Sequence, residues 1–363
     1  MTLKWEKVRL GDVAELQRGF DLPSTKRIEG EIPIVSSSGI TGFHVEAKAK
    51  APGVVTGRYG SIGDVFYLEQ DFWPLNTSLW VKDFHGNDEK FIYFLLSNFD
   101  FKKFSDKTGV PGVNRNDLHA VNVLLPPLSE QKKIAQILST WDKAISVTEK
   151  LLANSQRQKK ALMQQLLTGK KRLLNENGVR FNGKWEKKLL SDVADVYQPK
   201  TISQSMMSDS GYPVYGANGV IGFYQEFNHE TEQIAVTCRG STCGIVNWTQ
   251  AKSWITGNAM VINTDNYSYV SKKFLFYTLN GSDLKYLISG SGQPQITGNI
   301  KTHIINLPCI EEQQKIATVL SAADAEIYTL EKKLACLRDE KKALMQQLLT
   351  GKRRVKVDEA VAE

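Results

Sequence analysis

The residues of this 363-residue chain that are best suited to chemistry are polar side chains in two glycine-rich regions. Arginine can pair bidentately with guanine, asparagine and glutamine with adenine, and serine or threonine with phosphates or either base. The candidates are Arg58, Tyr59, Ser61, Asn76, Thr77, Ser78, Lys107, Asn114 and Arg115 in the first region, and Arg239, Ser241, Thr242, Asn258, Gln293, Gln295 and Thr297 in the second. Individually, each fits a turn or surface position equally well, so DNA contact is a hypothesis about the set.

The sequence carries no recognisable catalytic signature. Its five histidines lie outside any metal-ligand spacing, and H-E-x-x-H, Walker, G-x-S-x-G and Asn-Pro-Pro-aromatic motifs are missing. The stretch Gly57–Gly63 lacks the GK[ST] that a phosphate loop requires, which favours a hairpin that presents Arg58. Cys238 and Cys243 have no nearby histidine, which favours buried or incidental thiols over zinc. We therefore expect a non-catalytic chain with no metal and no cofactor of its own.

A long internal repeat organises these candidates. The segment Lys159–Lys170, KKALMQQLLTGK, recurs letter for letter at Lys341–Lys352, an offset of 182 residues. Earlier in the chain Arg58 matches Arg239 at an offset of 181, and small loop insertions explain the drift. Because the helical parts of the two copies are more alike than the mixed parts, we infer one scaffold that carries two different recognition modules. Drift after an old duplication is the alternative.

The helical parts have the spacing of a coiled coil. Seam positions over 134–166 and 316–348, most of them apolar, advance by alternating steps of four and three residues. Each copy predicts a helix of about 40 residues, roughly 60 Å long. Lys159 and Lys341 occupy equivalent seam positions, where they either fix the helix register or snorkel at a frayed end. Antiparallel pairing would place one module at each end of a rod, related by a pseudo-two-fold axis.

The mixed parts predict the fold class α+β. Runs of β-branched and aromatic residues such as Ile32–Val35 and Gly53–Thr56 are punctuated by glycines, and short helices are predicted over Glu89–Phe99 and Ser271–Asn280. Each part is therefore expected to form a small curved or barrel-like β-sheet with one or two helices. The predicted boundaries are 1–128 and 173–310 for the modules, 129–172 and 311–354 for the helices, and 355–363 for a tail.

Charge and composition limit the class of partner. A net charge of +7 and a pI near 9.0 favour a polyanion, although the excess lies on residues 129–172, with 10 basic and 3 acidic side chains. Four cysteines fit a reducing compartment, and neither a secretion signal nor a long apolar run is present. We expect a cytoplasmic protein that binds no membrane.

Repeated phrases at the module and helix boundaries point to a family. They are PPLSEQKKIAQIL at Pro126–Leu138, LPCIEEQQKIATVL at Leu307–Leu320, both KKALMQQLLTGK copies, and the opening KWEKVRLGDVAEL with its echo. Over essentially the whole chain this set resembles the specificity (S) subunit of type I restriction-modification systems. The resemblance implies two target-recognition domains, each of which reads one half of an asymmetric split DNA site. It also implies two helical regions that set the half-site spacing near one helical turn, roughly 34 Å.

The partners follow from the same resemblance. They are double-stranded DNA, two methyltransferase (M) subunits docked on the helices, and restriction (R) subunits that join through them. S-adenosylmethionine, Mg²⁺ and ATP would belong to those partners, and their complex would be a type I site-specific deoxyribonuclease and adenine-N6 DNA methyltransferase. The residues alone leave open a coiled-coil scaffold that binds proteins through its end modules. Tight, salt-sensitive binding to a split DNA sequence would exclude that alternative.

Overall fold

One order of elements occurs twice along the chain in the computed structural model, which describes residues 4–105, 112–217, 219–290 and 293–357. The chain divides into unit 1, which comprises Met1–Glu149 and Lys332–Glu363, and unit 2, which comprises Lys150–Glu331. Each unit therefore holds one α+β module and a part of each long helix. The predicted contact Lys107 lies outside the described residues.

The strands of unit 1 form three small sheets. Its elements are β1 (Glu6–Arg9), β2 (Glu15–Arg18), β3 (Ile32–Ser36), β4 (Gly39–His44), β5 (Gly53–Gly57), β6 (Val65–Leu68), β7 (Trp73–Pro74), β8 (Ser78–Asp83), α1 (Glu89–Ser97), α2 (Arg115–His119), β9 (Asn122–Leu125) and the first part of α3 (Leu128–Leu166). A four-stranded sheet has the order β2-β8-β5-β6, a three-stranded sheet has the order β4-β3-β7, and β1 pairs with β9. Only the β3–β7 pairing among these is parallel.

Unit 2 repeats this topology. Its elements are the last part of α3, β10 (Glu186–Leu189), α4 (Leu190–Val193), β11 (Asp195–Tyr197), β12 (Tyr212–Gly216), β13 (Gly219–Tyr224), β14 (Ile234–Thr237), β15 (Val246–Trp248), β16 (Trp254–Ile255), β17 (Ala259–Asn263), α5 (Lys272–Asn280), β18 (Ile304–Leu307) and the first part of α6 (Ile310–Leu348). The sheet orders are β11-β17-β14-β15, β13-β12-β16 and β10-β18. The predicted α+β class and internal repeat are confirmed, and among the described residues the sheets are open and form no closed barrel.

The core of each unit joins its short helix to its four-stranded sheet and to one long helix. In unit 1 Phe91 and Phe94 of α1 are buried with Leu16 and Leu79 of the sheet and with Ile134 of α3. The corresponding buried residues of unit 2 are Phe274, Tyr277, Val196, Met260 and Ile316. Burial of each large apolar side chain contributes about 1.5–3 kcal/mol, so this cluster fixes the long helix to its module.

The two long helices are each 39 residues long, close to the predicted length. Within each unit their parts pair antiparallel through a seam lysine. Lys341 forms an ion pair with Asp142 in unit 1, and Lys159 forms the equivalent pair with Asp324 in unit 2. The lysine side chains are only 18% and 20% exposed, so they pack in the seam and do not snorkel at a frayed end. Of the two alternatives that the sequence left open, the geometry favours fixing the register.

The Glu-Gln phrase at the start of α3 consists of Glu130 and Gln131, and its hydrogen bonds connect three parts of unit 1. Glu130 accepts hydrogen bonds from Nε of Arg354 at 2.8 Å and from the indole N–H of Trp5 at 3.2 Å. The amide oxygen of Gln131 accepts the backbone N–H of Asp88 at 3.0 Å. Asp88 is the N-cap of α1, and its carboxylate accepts the N–H of Phe91. This phrase therefore positions the module relative to α3.

The same arrangement recurs in unit 2. Glu312 accepts two hydrogen bonds from the guanidinium of Arg172, both at 2.6 Å, and one from the indole of Trp185 at 3.2 Å. Gln313 accepts the backbone N–H of Ser271 at 2.8 Å. The repeated sequence letters thus correspond to repeated contacts that fix the start of each long helix.

Candidate nucleic-acid interface

Arg58 begins the connection between β5 and β6, as the hairpin prediction requires. The backbone N–H groups of Arg58 and Tyr59 donate to the carbonyl of Thr77 at 3.0 and 3.2 Å, and the N–H of Val113 donates to the Arg58 carbonyl at 3.1 Å. The Arg58 guanidinium lies 4.6 Å from the centroid of the Tyr59 ring. A Cβ on Gly112 would lie 2.4 Å from a carbon of that ring, so any larger residue there would displace the ring. The backbone and the stacked ring together fix the direction of the arginine.

The structure brings three of the predicted contacts into one cleft. The cleft has a volume of about 590 Å³, and its polar lining consists of Gln17, Arg18, Asp21, Arg58, Asn114 and Arg115. Arg18 ends β2, and Arg115 begins α2, whose N-cap is Asn114. Three guanidinium groups and two side-chain amides, which come from three separate segments, thus face a common space.

The electrostatics of this cleft favour an anionic or acceptor-rich ligand. Among the described residues, no carboxylate lies within ion-pair distance of Arg18, Arg58 or Arg115. The one acid of the lining, Asp21, accepts a hydrogen bond from Asn76. Burial and then the charge of Arg115 lower the pKa of neighbouring His119. The cleft lining therefore carries three positive charges and one negative charge, and the arginines form no ion pair within it.

The remaining predicted contact residues of the first module form hydrogen bonds or packing contacts within the loops. Ser78 is fully buried and its hydroxyl donates to the Leu75 carbonyl at 2.7 Å, so it is a turn residue and we correct its assignment as a contact. Thr77 is half-buried and offers its carbonyl to the Arg58 loop. Asn76 bonds to the cleft acid, as described above. Ser61 is half-buried in the same connection as Arg58, and its carbonyl packs against the end of β5.

In the second module the predicted residues lie on three neighbouring loops. The exposed residues are Arg239, Ser241, Asn258, Gln293, Gln295 and Thr297, and Thr242 is half-buried. Arg239 forms a backbone bridge with Gln295, which also bridges Ser289. The hydroxyl of Thr297 donates to the Asn299 side chain at 3.3 Å, so part of its capacity is used within the loop. Amide and hydroxyl groups predominate over charge on this surface.

Backbone hydrogen bonds correct the sequence match between the modules. The backbone N–H of Arg58 donates to the Thr77 carbonyl, and the Arg58 carbonyl accepts the N–H of Val113. In the second module the N–H of Cys238 donates to the Asn258 carbonyl at 3.1 Å, and the Cys238 carbonyl accepts the N–H of Ile296 at 3.0 Å. Cys238 is therefore the structural equivalent of Arg58. The match of Arg58 with Arg239 is wrong by one residue, and Arg239 takes the position of Tyr59.

Sequence reasoning missed that β2 contributes Arg18 to the cleft. Arg18 pairs with Leu79 in the sheet, and the following Gly19 comes so close to the Leu75 carbonyl that a Cβ would lie 2.2 Å from it. A strand that ends in Arg-Gly is a signal that could have identified this position.

One group of side chains in the described part of the chain could hold a metal ion, and it consists of Glu15, Asp83 and His85. Glu15 already pairs with Lys82.

Comparison with known proteins agrees with this architecture. The sequence profile of the type I restriction modification DNA specificity domain matches residues 2–154 and 182–336. The type I restriction enzyme MjaVIII specificity subunit of Methanocaldococcus jannaschii is 26% identical, with 97% of this chain and 93% of that protein covered. The crystal structure of a type I restriction-modification S subunit from M. genitalium has a TM-score of 0.73 at 17% identity and covers 96% of both chains. A chain from work on complex assembly and conformational transition of the type I R-M system has a TM-score of 0.55 at 18% identity, with 97% of this chain and all of that chain covered.

The fold and the cleft define a protein with two repeated α+β modules and two long helices, and the modules differ in their candidate contact surfaces. The chain belongs to the type I restriction modification DNA specificity family and carries that domain twice. The family resemblance expected from the sequence is thus confirmed. None of the helices in the described part of the chain has the length and apolar character needed to cross a membrane.

Proposed function

We propose that this chain is the DNA-reading subunit of a type I restriction-modification complex and that each module reads one half of a bipartite, asymmetric site. The observation that carries the proposal is the arginine cleft of the first module, where three guanidinium groups and two side-chain amides meet without internal ion pairs. Such groups suit the acceptors of base edges and phosphates. The second module offers a different set of side chains on equivalent loops, which supports a site with unlike halves.

The proposed partners are two M subunits on the long helices and R subunits that join through them. The name of the relative from M. jannaschii, a specificity subunit of a restriction enzyme, supports this assignment. Methylation and cleavage would then belong to the partner chains, together with S-adenosylmethionine, Mg²⁺ and ATP. This chain would contribute the choice of DNA sequence, and its helices would fix the spacing between half-sites.

The test is to map methylated adenines in host DNA with this gene intact, deleted and restored, in cells that express the M subunit of the same system. We expect a split motif that vanishes on deletion and returns on restoration. A motif that persists without the gene would contradict the proposal. The salt dependence of binding by the purified complex separates DNA reading from a protein-binding scaffold, because contacts to phosphates release counterions.

A further inference from the structure

Two of the three cleft arginines of the first module lie in regular structure, and the third lies over an aromatic ring. Arg18 lies in β2 opposite Leu79, and Arg115 is the first residue of a capped helix in which the Asn114 side chain accepts the N–H of Asn116 at 3.0 Å. Arg58 lies over the Tyr59 ring, as described above. The half-buried Arg58 side chain, held over this ring, loses less freedom on binding than a mobile surface arginine. It can therefore discriminate between ligands by direction as well as by charge.

The second module has no guanidinium at any of the three equivalent positions. Cys238 replaces Arg58 and is 1% exposed. Gln198 replaces Arg18, and its amide nitrogen donates to the Gly257 carbonyl and lies 3.6 Å from the Cys238 sulfur. Gly298, which follows Thr297, takes the position of Arg115. The arginine cluster is therefore particular to the first module and is not part of the shared scaffold.

A planar arginine fork in a cleft suits one base more than the others. Guanine presents two acceptors, N7 and O6, on its major-groove edge, and arginine bonds both at once. Phosphate contacts, by contrast, need no concave surface and carry no sequence information. Arg58 meets the requirement best, because it is half-buried, lies on an aromatic ring and lines the cleft beside two side-chain amides.

We propose that the half-site read by the first module contains a guanine whose N7 and O6 accept hydrogen bonds from Arg58, with Arg18 and Arg115 beside it. The second module reads its half-site without an equivalent contact from the position of Arg58. This inference rests on the proposed function, because it names the base chemistry of the same DNA-reading site.

The experiment uses the chain in complex with its M subunits and synthetic duplexes that carry the mapped split site. Each guanine of the first half-site is replaced in turn by 7-deazaguanine, which lacks the N7 acceptor, or by inosine, which keeps N7 and O6 but lacks the minor-groove amine. We expect one 7-deazaguanine position to weaken binding by about 5- to 30-fold, because O6 still accepts one of the two hydrogen bonds and only part of the bidentate contact is lost. Inosine at that position should leave affinity within twofold.

Variants of Arg58 assign the effect to this side chain. Arg58→Gln should bind guanine and 7-deazaguanine duplexes equally. Arg58→Lys keeps the charge but loses the fork, so it should also lose most of the discrimination. Arg180→Gln, which changes an exposed arginine in the connection between α3 and β10, should keep the full ratio.

Two results would overturn the inference while leaving the proposed function intact. One is a first half-site without guanine. The other is equal binding of guanine and 7-deazaguanine duplexes by a complex that still selects the split site, which would assign Arg58 to phosphate contact. If the complex selects no split site at all, the proposed function itself fails, and this inference fails with it.

Discussion

Replacing Arg172 with methionine should lower the free energy of unfolding of unit 2 by about 3 kcal/mol. The Glu312 side chain is 1% exposed and receives two hydrogen bonds of 2.6 Å from this guanidinium. Without Arg172, the Trp185 indole at 3.2 Å is the one side-chain hydrogen-bond donor left to the buried carboxylate in the part of the chain that the structure describes. The hydrogen bond to Glu312 raises the pKa of Arg172, so the guanidinium stays charged in the folded unit.

The magnitude follows from burial. Removing one partner of a buried ion pair costs about 3–5 kcal/mol, because the remaining charge is left without compensation. The Arg172 side chain is 20% exposed, so water can partly replace it and the lower end of that range applies. Replacing Glu312 by methionine as well removes the buried charge and should recover much of the lost stability.

The assay is urea unfolding followed by tryptophan fluorescence and circular dichroism. The matched control is Arg338→Met in unit 1, whose guanidinium bonds to Glu149 at 2.7 Å with both side chains about half exposed. An exposed pair of this kind contributes about 1 kcal/mol or less. If Arg172→Met were no more destabilising than Arg338→Met, or if the double substitution at 172 and 312 were as unstable as the single one, the buried pair would not have the role that its geometry indicates.

Three further predictions concern the seam, the pH dependence and the cleft. Lys159→Asp should destabilise unit 2 by placing two carboxylates together, and adding Asp324→Lys should restore most of the loss in the same urea titration. Burial lowers the pKa of His119 below its usual 6.5. As pH falls below that value the unfolded chain binds a proton that the folded ring does not, so the free energy of unfolding should decrease towards pH 5, and His119→Gln should flatten this slope. Gly112→Ala should displace the Tyr59 ring and weaken specific DNA binding about tenfold in a gel-shift titration.

Each of these predictions has an outcome that contradicts it. If adding Asp324→Lys did not restore the stability lost in Lys159→Asp, the seam lysine would not be paired with that aspartate. An unchanged pH slope in His119→Gln would assign the acid sensitivity to other groups. The control for the cleft is Gly183→Ala, where no atom lies within 4 Å of an added Cβ. Equal DNA binding by both glycine variants would show that the ring position is unimportant.

Much of the fold could be predicted because the residues repeated in the sequence make the same contacts in both units. The Glu-Gln phrase gives Glu130 and Glu312 the same arginine and tryptophan partners, and the seam lysines have aspartate partners at equivalent positions. Periodic apolar spacing identified the long helices for the same reason, since burial of one face dictates the spacing.

The site was harder to predict because its parts are distant in sequence and its loops differ in length. Arg18 joins Arg58 only through the pairing of β2 with β8 and of β8 with β5, which no local pattern shows. The offset of 181 placed Arg58 on Arg239. The backbone hydrogen bonds instead join Gly57 to Asp64 and Thr237 to Ile245, so the second module has one extra residue within this connection. A one-residue insertion in a loop is invisible to spacing but decides which side chain enters the cleft.

The measurement that tests the central claim most directly is a map of methylated adenines in cells that carry the wild-type chain, Arg58→Gln or Arg239→Gln. We predict that the wild type gives one split motif, that Arg58→Gln relaxes positions in one half only, and that Arg239→Gln relaxes positions in the other half only. If either substitution altered both halves, or if all three chains gave the same motif, the assignment of one module to each half-site would be wrong.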